Sequence, residues 1–132
     1  MLIKGSEEFV KAKFLGSELV AASTPSSLVV YDVRKPSIIV TEVAHTVSAL
    51  KPRDSEDEIN DFDICPSGPS SFNLVAAFDS GDCKIAKLDF SDGFSDSEEK
   101  VLTNKHQNIC LKARFGKDPS LVYSCGFDYK VI

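Results

Sequence analysis

No apolar run in the 132 residues approaches the roughly 18 that a membrane-crossing helix needs, so no such span is expected. Nor is there a basic stretch longer than Lys11-Ala12-Lys13, and the formal net charge is −5. A chain of that balance is repelled by phosphate backbones, which removes nucleic acid from the expected partners. Cys65, Cys83, Cys110 and Cys125 show no C-x-x-C pairing. Zinc ligation usually needs such tight pairs to fix two corners of a tetrahedron, so neither a metal site nor a cofactor is expected. The opening MLIKGSEEFV has no long apolar core and reaches Glu7-Glu8 quickly, unlike a secretory signal. The expectation is therefore a cytoplasmic or nuclear protein whose four thiols stay reduced. Helical periodicity is missing as well, and tryptophan is absent altogether.

What the chain does contain is a globular composition. Hydrophobic residues make up 42% and charged residues 27%, and the length suits one modest domain. Short runs of Val, Ile, Leu and Phe are closed off by Gly, Pro, Ser and Asp, the pattern of strands. Strands are predicted at 9–15, 18–23, 28–33, 38–44, 59–64, 73–78, 84–90, 100–103, 109–115, 121–125 and 129–132. The chain is expected to be all-β.

Three segments repeat: Leu19-Val20-Ala21-Ala22, Leu74-Val75-Ala76-Ala77 and Leu121-Val122-Tyr123-Ser124. Each leads through a tight turn into a second strand with a common frame. A turn residue is followed by an apolar residue three on, a bulky residue six on and an Asp seven on. Pro25, Leu28, Tyr31 and Asp32 fill it in the first segment, and Asp82, Ile85, Leu88 and Asp89 in the second. The third shows Asp128 and Val131. The units are expected at approximately 9–50, 58–103 and 106–132. Two acidic, apolar-poor inserts, 51–58 and 91–99, are read as mobile loops, since they bury too little to offset their ordering entropy. Ser55, Ser95 and Ser97 in these inserts precede acidic residues, as acidophilic kinases prefer.

Four short antiparallel strands per unit, with a turn Asp and a closing aromatic-Asp pair, resemble the WD-repeat β-propeller family. That family places a His before the first strand, Ser or Thr on the second, Asp in the next turn and Trp-Asp closing the third. The third unit matches with His106, Ser124 and Asp128; the second keeps Asp82 and Asp89 but has Leu88 for Trp; the first has Pro25 for the turn Asp and Tyr31 for Trp. The resemblance implies an incomplete propeller of about three four-stranded blades. It also implies that His106, Ser124, Asp128, Asp82 and Asp89 form the hydrogen-bonded network inside the blades.

One further motif carries a functional expectation. Leu19-Val20-Ala21-Ala22-Ser23, then Leu28-Val29-Val30-Tyr31-Asp32-Val33-Arg34, is similar to the motif of WD-repeat receptors for the cullin-4 ubiquitin ligase adaptor. The resemblance implies adaptor contact through Tyr31, Asp32 and Arg34, with Arg34 central because its fork of donors pairs bidentately. The implied partners are that adaptor and a client protein. A propeller scaffold without a ligase role is the alternative.

Other chemistry is outweighed. His106 with Ser124 or Cys125 has the inventory of a small hydrolase, but no G-x-S-x-G elbow occurs and triads are defined by geometry. Asp54–Glu58 lacks the spacing that wraps oxygens around calcium. A closed propeller takes about 4–8 blades, more than the three partial units here. The expectation is thus a fragment of a longer protein or an incomplete gene model, with the downstream sequence supplying one residue and then an aromatic-Asp pair.

Overall fold

The computed structural model describes residues 7–16, 18–32, 44–102, 106–128 and 131–132. All described regular structure is β apart from one 3-10 turn at Ser48–Leu50. The first sheet holds β1 (Lys11–Leu15), β2 (Leu19–Ser23), β3 (Leu28–Asp32) and β4 (Ala44–Thr46). The second holds β5 (Ile59–Gly68), β6 (Ser71–Phe78), β7 (Cys83–Asp89) and β8 (Ser95–Leu102). The third pairs β9 (Cys110–Phe115) with β10 (Val122–Gly126). In every sheet the strands lie side by side in chain order and antiparallel. Beyond β10, Ser124 and Ile132 exchange two backbone hydrogen bonds of 2.9 and 2.8 Å, so the last residues return along β10.

β6 explains how the sheets stack. Successive side chains of a strand point to opposite faces, and β6 is apolar on both. Phe72, Leu74, Ala76 and Phe78 enter a core shared with Leu15, Leu19, Ala21, Leu28 and Val30 of the first sheet. Val75 and Ala77 enter a separate core with Cys110 and Ala113 of the third. The second sheet is therefore enclosed between the other two, and alanines on facing strands let the layers approach closely.

Several strands differ from their expected bounds. The largest change is in the insert 91–99, because β8 begins at Ser95 and only 90–94 form the turn. β8 is an edge strand held by its backbone to β7, so it needs no apolar face. The turn before it is anchored: Phe94 packs on Phe90 at 5.3 Å and stacks on His45 at 4.9 Å between ring centroids. Asp96 accepts a 2.7 Å hydrogen bond from the Ala49 amide. Ser95 and Ser97 thus stand exposed on a strand rather than in a loose loop. The insert 51–58 lacks strands but is tied down by Asp57, which is buried and accepts from the amides of Arg53 and Ser80, each at 2.9 Å. Of the expected strand 38–44, all but Ala44 lies outside the described residues, as do 129 and 130.

Candidate functional site

His106 precedes β9, Ser124 lies on β10 and Asp128 sits in the turn that follows. The fold brings the three together. His106 Nδ1 lies 2.9 Å from Asp128 Oδ1, and its Nε2 lies 2.8 Å from Ser124 Oγ. The Gln107 amide donates to the other Asp128 oxygen at 3.1 Å. His106 and Ser124 are 2% and 7% exposed, so each polar atom needs these partners. Glycines make the fit possible. A Cβ at Gly126 would lie 2.4 Å from the Ile109 carbonyl oxygen and 3.0 Å from His106 Nδ1. A Cβ at Gly81, in the β6–β7 turn, would lie 2.3 Å from the His106 carbonyl oxygen. The network therefore sits against the second sheet as well as within the third.

A nucleophile at Ser124 would need an open approach, whereas this hydroxyl is covered and engaged with His106. Cys125 follows it on β10, half-buried and directed to the opposite face of the strand. Two surface clefts are lined by other residues, one by Leu15, Glu18, Leu19, Ser70, Phe72 and Phe90, another around Lys51, Pro52 and Asp57.

The second unit has a counterpart that sequence reasoning missed. Asp82, 2% exposed, accepts a 2.7 Å hydrogen bond from Arg53 Nη2. Arg53 precedes β5 much as His106 precedes β9, so an arginine stands where the repeat frame leads one to look for histidine. The only signal was a cation within an acidic insert. Asp89, by contrast, stays local: it accepts from the Ser91 amide and hydroxyl at 2.8 and 2.7 Å, and these bonds hold its carboxyl below the usual range.

Tyr31 and Asp32 close β3 and are each 5% exposed. The Tyr31 ring meets Phe9 edge-on at 6.4 Å, and burial raises its phenol above the ordinary value. Arg34 lies outside the described residues. Ser55 is exposed in the 51–58 segment.

A second cluster, also unforeseen, joins the first strands of the three sheets. Lys11 and Lys13 on β1, Asp61 and Asp63 on β5, and Lys112 and Arg114 on β9 place charge at alternate positions. Asp61, wholly buried, binds Lys11 Nζ at 2.8 Å, the Ala113 amide at 3.1 Å and the Arg114 guanidinium. Asp63 binds the Lys13 ammonium and the Phe115 amide, the latter at 2.9 Å. The acids of β5 thus clamp β1 on one side and β9 on the other.

Burial alone would raise the Asp63 pKa, but hydrogen bonds from Lys13 and the Phe115 and Ile64 amides outweigh it and hold the carboxyl low. A folded-state pKa below the unfolded value of about 3.9 contributes stability that is complete above that pH and lost as pH falls through the folded value. The stability gap between the parent and Asp63→Asn, from urea titrations, is expected to close as pH drops from about 5 to about 2. A gap that stayed constant would show that these donors do not hold the carboxylate.

Among the described residues, no three His, Cys, Asp or Glu side chains converge to hold a metal ion. No described helix is long and apolar enough to cross a membrane. The class these features define is an all-β chain of stacked antiparallel sheets, joined along their first strands. No family model matches the chain, and no curated protein matches it.

Proposed function

We propose that this chain is a non-enzymatic protein-binding scaffold, part of a WD-repeat propeller, that serves as a receptor for a cullin-4 type ubiquitin ligase. One observation carries the scaffold reading: successive sheets of chain-ordered strands stack face to face, with β1, β5 and β9 side by side and joined by ion pairs. Blades around an axis have that relation. The described sheets number three, where a closed ring takes about 4–8 blades, so this reading makes the chain a part of a ring. The His106–Ser124–Asp128 network, with Asp82 in the second unit, supports the same reading from inside the blades.

In this reading Tyr31 and Asp32, both buried, fix the end of β3, and Arg34, two residues on, reaches the adaptor. Such a protein works in the cytoplasm or nucleus, holding a client on other loops while the adaptor occupies this rim. Arg34→Ala in the full chain is expected to abolish co-purification of the adaptor and leave the far-ultraviolet circular dichroism unchanged. Adaptor binding that survives the substitution discards the receptor role and leaves a scaffold for other proteins.

A further inference from the structure

The interface between the second and third sheets contains two thiols that the scaffold reading does not use. Cys83 on β7 and Cys110 on β9 are 1% and 0% exposed, and their sulfurs lie 3.5 Å apart. They come from different sheets, and their neighbours are Val75, Ala77 and Ala113. Buried thiols are usually inert fillers of apolar space. This pair differs because two sulfurs from different sheets already lie in contact. We propose that Cys83 and Cys110 form a reversible disulfide that staples the second and third sheets, made when a hydroperoxide accepts their electrons.

The sulfurs need to close by roughly 1.5 Å to reach a bond length of about 2.05 Å. Either sulfur can attack first, since the hydrogen bond between them can run in either direction. Written for Cys83, the thiol gives its proton to water entering with the oxidant and becomes a thiolate.

The thiolate then attacks one peroxide oxygen. The O–O bond breaks, and the departing hydroxide takes up the proton that the thiol lost, as water, leaving a sulfenic acid on Cys83. The Cys110 sulfur next attacks Cys83 Sγ. The S–S bond forms, the S–O bond breaks, and hydroxide leaves with the Cys110 proton as a second water. Two thiols lose two electrons, and hydrogen peroxide gains them; a dithiol reverses the change by exchange. Entry for so small an oxidant needs only local opening of β10, whose ladder is already irregular at Cys125 and Gly126, the latter opposite Cys110.

The test uses the full chain, hydrogen peroxide as probe, blocking of remaining thiols and peptide mapping by mass spectrometry. The expected product links the Cys83 and Cys110 peptides, is cleaved by dithiothreitol and raises the unfolding temperature by about 10 °C, since it closes a loop spanning 27 positions. Cys110→Ala is expected to lose both effects; should it not fold, the map of the parent chain decides alone. Free Cys83 and Cys110 after oxidation, or links made only through Cys65 or Cys125, would overturn the proposal.

Discussion

Asp61→Ala is expected to lower the stability of the chain by about 3 kcal/mol, read as a fall in the urea midpoint at neutral pH. The carboxylate is wholly buried and takes hydrogen bonds from Lys11, Arg114 and the Ala113 amide. Its removal strips the buried Ala113 N–H of a partner, and an unsatisfied buried donor costs about 1–3 kcal/mol by itself. The two cations lose less than a fully buried pair would. Their side chains are 24% and 45% exposed for Lys11 and Arg114, so water solvates them once the acid is gone. Asp61→Asn keeps an acceptor for the amide and is expected to cost about half as much. A loss under about 1 kcal/mol for the alanine variant would show that the clamp between β1, β5 and β9 adds little to folding.

The second large effect concerns Gly81→Ala. Its φ is +87°, where an L side chain is strained, and its Cβ would lie 2.3 Å from the His106 carbonyl oxygen and 3.0 Å from that of Asn108. Both obstacles are backbone atoms, so no side-chain rotation relieves them. The turn must withdraw from the loop before β9, and with it goes the support for His106. A cost of at least about 3 kcal/mol is expected. Gly16→Ala provides the comparison. Its φ is +64° but nothing lies within 4 Å of the new Cβ, so the conformational term alone applies, about 1 kcal/mol. Thermal unfolding of both variants separates the clash from the backbone term. Equal losses would mean that the second and third sheets do not meet through Gly81.

The strands that could be read beforehand were those whose apolar residues do the packing. β2, β3, β6 and β7 fall within a residue or two of their expected bounds because Leu28, Val30, Leu74 and Leu88 are also core residues. The first part of β8, before the strand expected at 100–103, was hidden for the converse reason. Its Ser95, Ser97 and Glu98 pair through the backbone and face water, so an apolar pattern has nothing to register. His106, Ser124 and Asp128 were visible as a constellation because the repeat frame gave each a position. Arg53 was not, since it partners Asp82 without being the residue type the frame names. The paired charges of β1, β5 and β9 were overlooked although they alternate plainly. Charged side chains at every second position look like a solvated strand, and only the neighbouring strands reveal that Asp61 and Asp63 are enclosed.

That alternation also dictates which layers can be neighbours. An acidic strand flanked by two basic ones is content in only one arrangement, because setting β1 directly against β9 would oppose lysine to lysine and arginine. The succession of layers is thus written in signs as well as in shapes. Any additional layer docking beyond β1 or β9 would be selected for carboxylates on its leading strand.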